Sequence, residues 1–270
     1  MGTVRPLRRV RTRWLAWGAA AFLLAACGGP RDDYREGSVN DLYNLAVDAL
    51  EDENYRIAAR MFDEVERQHP YSAWATKAQL MAGFAHYQAN NYDEAVIALD
   101  RFIQLHPGHK DVAYAYYLKA LSFYERISDV SRDQNRTERA LESLQEVVRR
   151  FPDSSYARDA RLKVDLARDH LAGKEMSVGR YYLTRGHHLA AINRFRRVID
   201  EYQTTTHTPE ALHRLVEAYL ALGMIDEATK TASVLGYNYP GSEWYTDSYA
   251  IVAGGGPRQQ AQRSFWGRIF

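Results

Sequence analysis

Between Ala73 and Pro107 the chain reads AWATKAQLMAGFAHYQANNYDEAVIALDRFIQLHP. Gln79, Ala82, Gly83 and His86 fall at the spacing of one helical face. Asn90-Asn91 breaks that period, and Tyr92, Ala95, Leu99 and Phe102 restart it. Pro107 ends it, because proline has no N–H to donate to the preceding turn. The pattern predicts two helices joined by a short turn. Gly83 and Ala95 are small where the two helices must approach. Tyr92 and Phe102 are large where a gap must be filled.

The same spacing recurs along the chain. Ala58 stands in register with Leu42, Leu45, Ala46, Ala49, Tyr55, Phe62, Val65 and Pro70. Downstream, Ala140 is followed by Leu144, Val147 and Pro152. Ala191 goes with Gly179, Tyr182, Phe195 and Val198, and Ala228 with Leu212, Leu215, Tyr219, Ala232, Leu235 and Pro240. The anchoring alanines are separated by 37, 45, 51 and 37 residues. A helical pair repeating at about this length is the signature of the tetratricopeptide repeat. The expected fold is therefore all-α, a solenoid of five tetratricopeptide-like helix-turn-helix repeats. In such a fold each unit buries its apolar face only on its neighbours.

The two longer spacings mark insertions. The extra residues in repeat 3 fall in SDVSRDQNR, from Ser128 to Arg136, a polar loop between the two helices of that repeat. The extra residues before repeat 4 amount to about four helical turns. Ala160, Val164, Ala167, Leu171, Val178 and Tyr182 keep one face through them. One long helix from Ser155 to Thr184 is expected to lead repeat 4. A last helix, Ser242 to Val252, is expected to close repeat 5.

The formal charge of +1 conceals an uneven distribution. Arg5, Arg8, Arg9, Arg11 and Arg13 lie in a head that has no acidic residue. Without that head, 30 basic residues face 34 acidic ones, which argues against a nucleic-acid partner. The apolar run Trp14 to Ala26 is 13 residues long, too short to span a bilayer but suited to the core of a signal peptide. It ends in Leu24-Ala25-Ala26-Cys27, which resembles a bacterial lipobox. That resemblance implies cleavage before Cys27 and lipid on its thiol and new amine. Cys27 is the single cysteine of the chain, so it has no partner for an internal disulfide. The expected organisation is a lipoprotein signal peptide at 1–26 and a tether at 27–37. Repeats 1–3 follow at 38–152. The long helix, repeats 4–5 and a capping helix occupy 153–253, and a disordered tail, basic and aromatic, occupies 254–270.

No catalytic motif appears. HExxH, GxSxG and phosphate-loop patterns are absent, the nine histidines are dispersed, and no metal or cofactor site is expected. The chain is read as a non-enzyme, and what remains is surface. In repeats of this type the first helices line the inner side. Their groove-facing positions here are Tyr43, Val47 and Leu50, then Leu80, Phe84 and Tyr87, then Tyr114, Tyr117, Leu121 and Tyr124. Tyrosine offers a large contact area and a hydroxyl at low entropic cost. An extended or aromatic-ended peptide would fit such a groove. The competing reading is that these side chains pack against their own second helices. The equivalent positions in repeats 4 and 5 are Met176, Arg180, Leu183, His213, Glu217 and Leu220, a more polar set.

Three segments carry a resemblance to a known family. They are Leu99 to Pro107 (LDRFIQLHP), Phe151 to Ala157 (FPDSSYA) and Ser177 to Gly186 (SVGRYYLTRG). With the lipobox and the long helix before repeat 4, they resemble the BamD (ComL) lipoproteins of the outer-membrane β-barrel assembly machine, over roughly Asp41 to Pro240. The resemblance implies a non-enzymatic scaffold, lipid-anchored in the outer membrane and facing the periplasm of a Gram-negative bacterium. It implies that the C-terminal repeats hold the barrel subunit BamA, with accessory lipoproteins of the machine as further partners. It also implies that the N-terminal groove receives the C-terminal signal of unfolded barrel proteins. Asn193-Arg194 matches the place of a family arginine at the BamA contact, so Arg194 is the candidate partner-binding residue. Another envelope repeat scaffold, of pilus assembly or cell division, is the alternative.

Overall fold

The computed structural model describes residues 36–127 and 134–254. The signal peptide, Cys27, most of the tether, residues 128–133 of the repeat 3 loop and the tail beyond Gly254 lie outside the described residues. Eleven helices and no strand are found among the described residues. Repeat 1 is α1 (Val39–Glu51) and α2 (Tyr55–Gln68). Repeat 2 is α3 (Ala73–Gln88) and α4 (Tyr92–Leu105). Repeat 3 is α5 (Val112–Tyr124) and α6 (Asn135–Arg150). Repeat 4 is α7 (Ser155–Thr184) and α8 (His188–Glu201). Repeat 5 is α9 (Thr208–Ala221) and α10 (Ile225–Asn238), followed by α11 (Glu243–Ala253). The fold is the expected all-α repeat array, with α7 as its long helix. Asn135 and Arg136, expected in the repeat 3 loop, form the first turn of α6 instead.

Sequence punctuation explains where helices start and stop. Ser72, Ser154 and Ser242 cap α3, α7 and α11, their hydroxyls accepting from the N–H of Ala75, Ala157 and Trp244 at 3.0, 3.1 and 3.2 Å. Each serine lies two residues after a proline that ends the preceding repeat. Four inter-helix turns place one residue at positive φ: Glu53 at 58°, Asn90 at 59°, Gly186 at 76° and Gly223 at 77°. The last two lack a Cβ and take that conformation freely. Glu53 is an exposed residue held there at a cost of about 1 kcal/mol.

Packing follows the alternation of small and large residues. Each helix packs on the next in the chain, and each first helix also touches the first helix of the following repeat. A Cβ added at Gly83 would lie 2.6 Å from Leu99 Cδ2, and one at Gly179 would lie 2.4 Å from Phe195 Cε1. These contacts let the two helices of repeats 2 and 4 close on a fully buried side chain. Phe62, Phe102 and Phe195 occupy equivalent places in repeats 1, 2 and 4, with no exposed surface. Burial of one such ring contributes about 1.5–3 kcal/mol.

Candidate peptide- and partner-binding surfaces

The first helices α1, α3, α5 and α7 succeed one another on one side of the array. Their tyrosines are half-buried and form a nearly continuous row. The Tyr43 ring lies 5.5 Å from Phe62 and 4.6 Å from Trp74. Tyr87 meets Tyr92 edge-on at 5.7 Å, and its hydroxyl donates to Glu125 at 3.5 Å. Tyr156, near the start of α7, takes Tyr114 at 5.5 Å and stacks on Tyr117 at 5.3 Å. The Tyr117 hydroxyl donates to Asp159. Lys163 binds the same carboxylate at 2.9 Å and reaches over the Tyr124 ring at 5.7 Å.

Nine of the ten groove positions, Tyr43, Val47, Leu50, Phe84, Tyr87, Tyr114, Tyr117, Leu121 and Tyr124, are only partly buried. Leu80 is the exception. It is 9% exposed and packs with Leu99, Phe102 and Leu118 in the core of repeats 2 and 3. Its place on α3 turns it toward α4, so it is a core residue. Tyr156, Asp159 and Glu125 belong to the row and were not anticipated. Tyr156 stands within FPDSSYA, and Asp159 lies one turn further along the same helix face, so the local pattern held that signal.

The row has its own electrostatics. Burial, with help from the neighbouring Tyr156, pushes the Tyr114 phenol up to about 12. Burial and then the charge of Glu125 bring Tyr87 to about 12. Burial and the Asp159 carboxylate raise Tyr117 as well. The hydrogen bond from Tyr117, with Lys163 beside it, holds Asp159 below its ordinary range against the opposing effect of burial. The folded state therefore favours the neutral phenols. Their stabilising effect is complete below the unfolded value near 10 and is lost as pH rises through about 12. Titrated by phenolate absorbance, the folded protein should show a step near pH 12 that loses two phenols' amplitude in the Tyr87→Phe, Tyr114→Phe double variant. Loss of amplitude near pH 10 instead would contradict this placement.

Repeats 4 and 5 are built differently. Met176, His213, Glu217 and Leu220 are buried. The helix that covers part of this side is α11. Ser248 bonds His213 Nδ1 at 2.8 Å, and the Trp244 ring lies 5.3 Å from the His213 ring. Glu217 receives Arg214 at 2.7 Å and His213 Nε2 at 3.5 Å. Burial opposes ionisation of Glu217, but His213 and Arg214 together hold its carboxyl below the ordinary value. Arg180 is bonded through both oxygens of Glu210, at 3.0 and 2.9 Å. The polar positions expected to face a groove here are thus satisfied inside the protein.

Arg194 lies on α8, with its side chain 41% exposed. It is not a solvated charge. It donates to Oε2 of Glu175 at 3.1 Å, while Arg197 donates to Oε1 at 2.9 Å. Glu175, on α7, is 10% exposed at its side chain and is neutralised by the two arginines. Nothing near Arg194 in the chain signalled Glu175, which is 19 residues earlier. Tyr182, Ala190 and Asn193 complete a shallow depression around Arg194 and Arg197.

Among the described residues no helix is long and apolar enough to cross a membrane, and no three His, Cys, Asp or Glu side chains gather as a metal site. Comparison with known proteins gives one consistent answer. The profile of the family described as YfiO, outer membrane lipoprotein, matches residues 35–235. The outer membrane protein assembly factor BamD of Caulobacter vibrioides is 51% identical over 247 residues, covering 88% of this chain and 81% of its own. The factor of the same name from Rickettsia prowazekii is 52% identical, covering 86% of this chain and 92% of its own. That from Neisseria meningitidis serogroup A is 36% identical over 225 residues, 80% of this chain and 84% of its own. With a family profile across most of its repeats and about half of the aligned residues identical in two such factors, this chain belongs to the BamD (YfiO) family of outer membrane lipoproteins.

Proposed function

We propose that this protein is a non-enzymatic scaffold of the β-barrel assembly machine, anchored in the outer membrane through lipid on Cys27 and facing the periplasm. Its C-terminal repeats bind BamA, with Arg194 at the contact. Its N-terminal tyrosine row receives the C-terminal signals of unfolded barrel proteins. The observation that carries the reading is the 51–52% identity to two outer membrane protein assembly factors over most of the chain. The geometry supports the division of labour. The row of repeats 1–3 keeps exposed aromatic surface, whereas α11 and internal ion pairs occupy the corresponding side of repeats 4–5. That leaves the Arg194 face of α8 as the candidate docking surface of the C-terminal half.

Crosslinking of the lipidated protein in outer membranes, followed by capture and mass spectrometry, tests this. BamA should be recovered with crosslinks to repeats 4 and 5. Recovery of pilus or cell-division proteins without BamA would overturn the reading in favour of another envelope scaffold.

A further inference from the structure

The edge of repeats 1–3 formed by their inter-helix turns is acidic. Glu51 ends α1 and Asp52 and Glu53 follow it, Asp93 and Glu94 open α4, and Glu125 follows α5, all exposed. Four arginines share that edge, two of them, Arg136 and Arg139, in the first turns of α6 beside Asp93. Arg56 is exposed, and Arg126 is already bonded to Asp93. The acidic edge and the tyrosine row are one surface, because Tyr87 donates to Glu125 and Tyr124 precedes Glu125 in the chain. A ligand matching it carries aromatic rings for the row and cations for the edge.

The chain itself carries such a segment. Residues 258–270, RQQAQRSFWGRIF, hold Arg258, Arg263 and Arg268 with Phe265, Trp266 and Phe270, and no acid. Arginine beside an aromatic side chain suits a surface of tyrosine faces and carboxylates, through ring stacking, cation–π contact and ion pairing. The reach is just sufficient for a nearly extended segment. From Gly254 to Trp266 an extended chain spans up to about 40 Å. In the array α11 touches α9, α9 touches α7 and α7 touches α5. Three helix-to-helix spacings amount to about 24–30 Å across the array, and the α9 contact at Arg180 lies about 30 Å along α7 from the α5 contact at Asp159, so the direct path is about 40 Å.

We propose that residues 258–270 are an intrinsic ligand of this surface, bound within the same chain and displaced by an incoming aromatic peptide. The inference rests on the reading of the tyrosine row as the peptide site and adds its regulation. A tethered segment acts at an effective concentration on the order of millimolar. Weak intrinsic binding is then enough to exclude weak ligands while yielding to stronger ones.

The test places benzoylphenylalanine at Trp266 in the full-length lipidated protein and maps the photo-crosslinks. Crosslinks should fall within one chain, on α3, α5 or the first half of α7. Their yield should drop at least about threefold in the Glu51→Lys, Glu94→Lys, Glu125→Lys variant, as expected when three ion pairs are reversed. Crosslinks to lipid, to α8–α11 or to a second copy would each overturn the proposal. In parallel, a chain ending at Gly256 should bind a synthetic aromatic-ended barrel peptide about two- to fivefold more tightly than the full chain, given that effective concentration. Equal affinities would overturn the regulatory role. Failure of either chain to bind the peptide would sink the peptide-site reading itself, and the crosslink map would then decide the placement of 258–270 alone.

Discussion

Phe195→Ala should lower the stability of repeats 4 and 5 by about 3–5 kcal/mol, the range for emptying a buried aromatic site. Phe195 has no exposed surface, and it fills the space left by the missing side chain of Gly179 on α7. The two helices meet there at backbone distance, so neither can move inward to fill the cavity. The same cluster includes Met176, Ala191, Leu215 and Val216, which join α7, α8 and α9. The loss should therefore spread across the C-terminal half, as nearest-neighbour coupling in repeat arrays predicts. Hydrogen exchange followed by mass spectrometry should show faster exchange in α7–α11 and little change in α1–α4. Uniform acceleration through all repeats would mean that the array unfolds as one unit. Unchanged exchange would mean that Phe195 is not the keystone of this half. Gly179→Leu approaches the same contact from the other side. It should cost about 1–3 kcal/mol by overpacking, since its first added atom already lies 2.4 Å from the ring.

Most of the helical architecture was legible because repeat periodicity is a packing rule written many times over. The face carrying Ala160, Val164, Ala167 and Leu171 predicted α7 as a continuous helix, and its bounds, Ser155 and Thr184, coincide with the observed ones. The turn of repeat 3 was misjudged by two residues. Asn135 and Arg136 have the polarity of a loop, yet both join the first turn of α6, whose N-terminal positions tolerate polar side chains. The serines after Pro70, Pro152 and Pro240 cap the helices that follow and were not anticipated, although each stands where a helix start needs an acceptor.

The surfaces were less legible, since periodicity assigns a residue to a face without saying what covers that face. Leu80 and Tyr117 occupy corresponding kinds of position on α3 and α5, yet the first is core and the second half-exposed. In repeat 5 the period placed His213 and Glu217 correctly on the inner side of α9. It could not show that Ser248 and Trp244 of α11 would contact them there. The partners of the tyrosines, Asp159 and Glu125, are carboxylates that look like ordinary solvated charges in the chain. Only the stacking of α3, α5 and α7 brings them to the phenols.

Arg194→Glu should reduce recovery of BamA with this protein by about tenfold or more, equivalent to at least 1.4 kcal/mol of binding. The structure makes this variant more severe than removal of one surface charge. Arg194 lies over Glu175, which is largely buried, so a glutamate there faces a carboxylate only a few ångströms away. One of the two must then be expelled or take up a proton. Arg194→Gln separates the two consequences. Arg197 continues to neutralise Glu175 at 2.9 Å, so stability should fall by no more than about 1 kcal/mol. Recovery of BamA with Arg194→Gln should still fall, because the exposed part of the guanidinium is what a partner carboxylate would meet in paired geometry. Undiminished recovery of BamA through high-salt washes, for both variants, would remove Arg194 from the contact and leave it as the cap on a buried glutamate. A fall in recovery for the glutamate variant alone, matched by lost thermal stability, would assign the effect to the α7–α8 packing. Only a loss shared by both variants, with the glutamine form folding normally, makes Arg194 part of the partner surface.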